Sequence, residues 1–187
     1  MAAPAVAHGM TPEAYFAWVA EQDEKHEFYD GEVFAMAGGS SRHARITVNV
    51  TIAFGVGLRP SGCEPYSSDM RVQLSESRRY VYPDFSAVCG PPEFLDAGEL
   101  TLLNPTLVVE VLSPSTADFD LGTKATWYRA LPSLQALVLV SQDAPNVTVH
   151  AREGDHWITT DVSGLSASID VLGVRIALAD LFLGTEV

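Results

Sequence analysis

Hydrophobic and polar positions change period several times along the 187-residue chain, and each change marks an element. Ten residues read as a loose tail, after which Thr11-Pro12-Glu13 supplies a capping hydroxyl, a proline at the first helical position and an acid in the first turn. A helix over about 11–22 is predicted. HEFYDGEVFAMAGG then alternates polar and apolar residues around Asp30-Gly31, a dipeptide suited to the positive φ values of a hairpin turn. Ser40 and Ser41 can cap a second helix reaching about residue 58, with Ile46, Val50, Ala53 and Phe54 at helical spacing. MRVQL and YVYPDFSAV read as strands joined by a charged turn at 75–79, and PTLVVEVLS is apolar enough for a strand buried on both faces. From about 120 to 131 Ala125, Tyr128 and Leu131 recur at helical spacing until Pro132 stops them, and QALVLVSQ follows as a second buried strand. NVTVHAREGDHWITTDV alternates about Gly154-Asp155 like a hairpin, and a short strand and a short apolar helix close the chain. Strand, helix and strand through 106–142 make a crossover unit. The class is therefore α/β or α+β, a mixed sheet flanked by helices and carrying antiparallel hairpins, in one domain over 11–187.

Composition narrows the setting. Hydrophobic residues make up 47% and charged residues 19%, the balance of one soluble domain with a sizeable core. No run approaches the 18 apolar residues of a membrane helix, and the two cysteines, Cys63 and Cys89, have neither CxxC nor zinc-ligand spacing. A cytoplasmic protein with reduced thiols, no disulfide scaffold and no membrane association is the expectation. The formal charge is −13, which argues against a sequence-independent polyanion binder. Its distribution is uneven: residues 42–79 hold six arginines against three acids, +3 there against −16 elsewhere. Arg42, Arg45 and Arg71 on that strip are candidate nucleic-acid contacts.

The candidate chemistry lies on the apolar strands. Asp84 interrupts one directly after Pro83, and Glu110 interrupts another among Leu107, Val108, Val109, Val111 and Leu112. A buried carboxylate costs several kcal/mol or more unless a cation, a metal or hydrogen bonds compensate it. Lys124, 14 residues after Glu110 on the crossover helix, can supply that charge. Two carboxylates and a lysine suit Mg²⁺- or Mn²⁺-dependent phosphodiester hydrolysis, because a hard cation takes oxygen ligands, keeps waters and bridges to a phosphate. An ammonium group nearby can orient the attacking water.

Pro83-Asp84, Glu110-Val111-Leu112 and Lys124 resemble the PD-(D/E)XK nuclease superfamily, with its restriction-endonuclease-like fold. HEFYDGEVFAMAGGSSRH, YPDFSAV, LVVEVLSPST and the spacing from Asp120 through Lys124 to Tyr128 are similar, more closely, to the bacterial Uma-type restriction endonucleases, over about residues 11–150. That resemblance implies that Asp84 and Glu110 bind the divalent metal and that Glu27, on an early element, adds an acid to the site as an outer or second metal contact. The position two after Glu110 is Leu112 where the superfamily pattern has lysine; in the Uma-type branch the lysine is on the following helix, here Lys124. The resemblance also implies a homodimer acting on nucleic acid, DNA before RNA, and the net charge of −13 predicts weak affinity alone.

Blander readings stand beside these. Lys124 could pair with Asp120 across one helical turn, Asp84 could accept a hydrogen bond at a strand end, and Glu110 could belong to a satisfied buried ion pair. His43 could orient a carboxylate or contact phosphate, or sit idle; Tyr128 fits a core position with its hydroxyl at the edge; Ser113 could touch substrate or cap the loop. Two further functions therefore remain: a non-catalytic binding or assembly module of the same fold, and a hydrolase of small phosphodiesters.

Overall fold

The computed structural model describes residues 4–36, 38–74, 78–113 and 120–186. Helix α1, Pro12–Val19, starts as its sequence predicts: Thr11 Oγ1 accepts from the Ala14 N–H at 3.2 Å and proline occupies the first turn. It stops three residues short of the expected end. The hairpin follows as β1, His26–Tyr29, and β2, Glu32–Ala35, with Asp30 and Gly31 at φ 49° and 102°. The stretch expected as a loose tail is tied to this hairpin, since Val6 N–H donates to Val33 O, Val33 N–H to Ala7 O and Met10 N–H to Gly31 O.

Helix α2, Ser41–Gly57, is capped by Ser40, whose Oγ accepts from the His43 N–H at 3.1 Å. It lays Ile46, Val50 and Phe54, all fully buried, on the sheet, each contributing about 1.5–3 kcal/mol by leaving water. Strands β3, Cys63–Ser67, β4, Arg71–Leu74, β5, Arg79–Val81, and β6, Phe85–Cys89, come next. The sequence predicts one strand over YVYPDFSAV, and the chain makes two. Pro83 has no N–H for a ladder, and at Tyr82-Pro83-Asp84 the backbone leaves one sheet and enters another. Asp84 therefore sits at the crossing between sheets. Three residues of the expected turn at 75–79 lie outside the described residues.

A short strand, β7, Thr101–Leu102, runs parallel to β4 and was not expected from its sequence. Strand β8, Leu107–Leu112, is buried at every position, as its composition predicts. The crossover helix is split: a π-helical turn, Asp120–Lys124, runs into α3, Ala125–Arg129. Strand β9, Ala136–Ser141, then pairs parallel to β8, which closes the expected crossover unit. Strands β10, Asn146–Glu153, and β11, His156–Ser163, form the hairpin about Gly154, and a second hairpin, β12, Ser168–Val171, with β13, Val174–Ala177, precedes α4, Leu178–Leu181.

Among the described residues the strands form a five-stranded sheet, β2-β1-β5-β4-β7, a six-stranded sheet, β11-β10-β9-β8-β6-β3, and the β12-β13 ribbon. Alternation along β8 sends Leu107, Val109 and Val111 into the core under α2, and Val108 and Leu112 into the core under α3. Glu110 shares the α3 face. Cys63 and Cys89 face each other in the β3–β6 register with Cα atoms 4.1 Å apart and are disulfide-bonded, which corrects the expectation of reduced thiols. Sequence spacing does not reveal strand register, and register is what brings them together. No described helix is long and apolar enough to cross a membrane.

Candidate active site

Three elements deliver one buried charge cluster. Strand β1 of the five-stranded sheet carries Glu27, β8 of the six-stranded sheet carries Glu110, and the π-helical turn after β8 carries Lys124. The Lys124 ammonium lies 2.9 Å from Glu110 Oε1 and 3.1 Å from Glu27 Oε1, and all three residues are at most 9% exposed. Lys124 thus joins the two sheets through charge. Its alternative pairing with Asp120 falls on a side chain outside the described set.

Glu27 is held by donors on every side. The Tyr82 N–H donates to Oε1 at 3.0 Å, and the Tyr29 hydroxyl donates to Oε2. Neither tyrosine stands out in the sequence. Tyr82 is read there as part of a strand, and only the break between sheets frees its N–H from a ladder. Glu110 receives the Tyr128 hydroxyl at 2.6 Å, so this buried phenol faces the acid instead of the core edge. Burial first, and the neighbouring Glu110 charge second, push the Tyr128 phenol well above its ordinary range and keep it a donor.

Asp84 faces Glu110 by continuation of the β6–β8 register, in which Phe85 pairs with Val109. Its Oδ2 accepts the Val111 N–H at 2.7 Å, immediately beside Glu110. His43, in the first turn of α2, brings Nε2 to 3.5 Å from the same oxygen. The hydrogen bond to Asp84 raises the His43 pKa against the opposing effect of burial, with the charges of Asp84 and Glu110 adding to it. Side-chain exposure of 17–18% makes the Asp84–His43 edge the more open side of the cluster. The α2 N-terminus is fixed from behind by Gln142, a buried residue that sequence reasoning passed over at the end of β9: its Oε1 accepts from Ser40 Oγ at 3.2 Å.

Not every expected residue joins the cluster in its expected role. Arg71 is 7% exposed, with Nε donating to Thr101 Oγ1 at 2.9 Å and its guanidinium carbon 4.7 Å from the Phe16 ring centroid. Burial removes it from any surface strip that a phosphodiester backbone could follow. Arg42 and Arg45 flank His43 on α2, Arg42 half-buried and Arg45 exposed. Ser113 directly follows β8 and is half-buried beside the cluster's strand, where it keeps a partner of its own.

Charge and donor type decide which cation would fit. Glu27, Glu110 and Asp84 are three carboxylates set against one ammonium, an excess of two negative charges while His43 is neutral. A divalent cation would cancel that excess, and the donors are oxygens, as a hard cation requires. Among the described residues no three His, Cys, Asp or Glu side chains converge in metal-binding geometry. A cation here would therefore be held by Asp84 and Glu110, with waters or substrate oxygens completing its shell, the usual arrangement for Mg²⁺. Glu27, expected as an additional metal ligand, accepts from Lys124, Tyr82 and Tyr29.

The Uma2 family model, described as "Putative restriction endonuclease", matches residues 12–179. Two proteins of Synechocystis sp. (strain ATCC 27184 / PCC 6803 / Kazusa) are similar over nearly the whole chain. The "Uncharacterized protein sll1609" is 34% identical over 89% of this chain and 95% of its own length, and the "Uncharacterized protein slr1290" is 35% identical over 87% and 90%. The crystal structure of "a putative nuclease belonging to DUF820" from Anabaena variabilis ATCC 29413 superposes with a TM-score of 0.73, covering 92% of this chain and 97% of that one at 17% identity. That likeness shows the fold, which is restriction-endonuclease-like with mixed sheets and few helices.

Proposed function

The chain belongs to the Uma2 family, described as "Putative restriction endonuclease", and from that membership we propose that it is a metal-dependent endonuclease hydrolysing phosphodiester bonds of nucleic acid, DNA in the first place. The observation that carries the reading is the Lys124 ammonium held between Glu110 and Glu27 at the edge of the Asp84–Glu110 pair. Mg²⁺ or Mn²⁺, when bound, would supply a water of lowered pKa and neutralise charge on the phosphoryl oxygens.

This chain's residues do the rest by position. Asp84 and Glu110 would hold the cation, and the Val111 N–H and the Tyr128 hydroxyl keep their carboxylates from turning away. Lys124 aims a proton donor at the cluster and orients the attacking water, while Glu27 keeps that ammonium in place. His43 stands at the open edge, where a protonated imidazole can contact a phosphate oxygen or steady Asp84. Arg42 and Arg45 lie on the same end of α2 and offer backbone contacts beside it.

A second substrate class is favoured by one observation, the charge of −13, which repels a polyanion. Small phosphodiesters would escape most of that repulsion. The test is incubation of the protein with supercoiled plasmid and, separately, with bis(p-nitrophenyl) phosphate, each with Mn²⁺ and with EDTA. Nicking that needs Mn²⁺ and disappears in Asp84→Asn supports the endonuclease. Turnover of the small ester alone moves the substrate to the second class. Neither activity, in a protein that also fails to bind Mn²⁺, leaves the non-catalytic module.

A further inference from the structure

A cavity of about 680 Å³ opens on the other side of Tyr82 from the acidic cluster. Its walls come from α1, the 22–25 loop, the start of β4 and the 95–100 loop, and they are mostly apolar: Phe16, Val19, Leu95 and Leu100 contribute side chains. Leu95 and Leu100 are 43% and 64% exposed at the mouth. The loop that presents them is held in shape, since Asp96 Oδ1 accepts from the Gly98 and Leu100 N–H groups. The volume falls in the range of drug-sized ligand sites, and exposed apolar side chains around a concave wall point to an occupant.

Arg71 supplies the polar end. It is 93% buried in the cavity wall, yet it lies within 4 Å of no carboxylate among the described residues. Its donors reach Thr101 Oγ1 at 2.9 Å and the Tyr82 hydroxyl at 3.4 Å, and the Tyr15 hydroxyl is a further hydrogen-bonding neighbour, so all its described partners are neutral. A buried guanidinium without an anion is unfavourable, and the Phe16 ring face at 4.7 Å offsets that only in part. Lys124, also buried, has by contrast two carboxylates. Arg71 presents a guanidinium fork of a kind that binds oxyanions, among neutral hydroxyls only.

We infer that this cavity is a binding site for a small amphipathic anion, an apolar or aromatic body that fills the space lined by Phe16, Val19, Leu95 and Leu100 and carries one carboxylate-type head on Arg71. The mouth excludes polyanions: Asp23 and Glu24 are exposed there, whereas Asp69 is neutralised by Lys25 at 2.7 Å. One negative charge can pass that rim to reach Arg71, and a nucleic-acid strand cannot follow. Tyr82 links the two places, its hydroxyl facing Arg71 and its N–H holding Glu27, so an occupant would sit one residue from the acidic cluster.

The experiment compares 1-naphthoate with 1-naphthamide, its uncharged analogue of nearly the same shape, by titration followed in ¹H–¹⁵N spectra of the wild-type chain. Naphthoate should bind at least tenfold more tightly, shifting the amides around Phe16, Leu95 and Leu100. Arg71→Met, which keeps the stem and removes the charge, should bring the two affinities together. Equal affinity of the two probes in the wild type overturns the proposal without recourse to any variant. So does absence of binding at about 5 mM, or discrimination that survives in a folded Arg71→Met protein.

Discussion

The Lys124 ammonium lies 2.9 Å from Glu110 Oε1, although the two residues come from a strand and from the helical turn within the crossover that follows it. Glu110 could be tolerated in an all-apolar strand because that cation and the Tyr128 hydroxyl meet it there. The same ammonium reaches Glu27 in the other sheet, so a single side chain reports on both the fold and the site.

Removing that cation should be expensive. Lys124→Met leaves Glu27 and Glu110 buried without their partner, a loss of about 3–5 kcal/mol in urea unfolding of the metal-free protein. Adding Glu27→Gln to the same protein should recover part of the loss, because one of the two stranded charges is then gone. Recovery by the second substitution is the signature of charge, since a cavity left by the lysine stem would not respond to it.

Tyr128→Phe deletes only the oxygen that donates to Glu110 at 2.6 Å. A hydrogen bond to a buried charged group is worth about 1.5–3 kcal/mol, and the drop in stability should fall in that range. Equal stability of Tyr128→Phe and wild type would show that another donor satisfies Glu110.

His43 should confer a pH-dependent increment of stability. Its native pKa is raised, first by the hydrogen bond to Asp84, so the folded state favours the imidazolium. That contribution is fully present below the unfolded value of about 6.5 and is lost as pH rises through the raised native value. The penalty of His43→Gln in urea unfolding should therefore be larger at pH 5.5 than at pH 8.5. An equal penalty at the two pH values would assign His43 a packing role only.

The Cys63–Cys89 bond closes a segment of sequence separation 26 that includes β4 and β5. Chain entropy alone makes such a crosslink worth about 3.5 kcal/mol, which for a chain of this size is about 7–14 °C in melting temperature. Dithiothreitol should lower the melting temperature of the wild type by that amount and leave the Cys63→Ala, Cys89→Ala protein unchanged.

Much of this was legible in the sequence, for identifiable reasons. Strand β8 and the β1–β2 hairpin follow from a run of aliphatic residues and from Asp30-Gly31, signals that local sterics enforce whatever the rest of the chain does. Glu110 was conspicuous because its neighbours are apolar. What stayed hidden depends on register and on breaks. The disulfide needs the β3–β6 pairing, the Tyr82 N–H is available to Glu27 only because Pro83 splits a predicted strand in two, and Gln142 matters only because β9 ends beside Ser40. Arg71 looked like its neighbours in a basic strip until the 95–101 loop and α1 closed over it. Tertiary placement, not residue type, separated it from Arg42 and Arg45.

The claim that Asp84 and Glu110 form a cation site is tested most directly by calorimetric titration of Mn²⁺ into the wild type, Asp84→Asn and Glu110→Gln, substitutions that keep shape and remove charge. The account predicts saturable binding in the wild type and none in either variant, both of them folded. Absence of binding in the wild type, or binding that both substitutions leave intact, would contradict it.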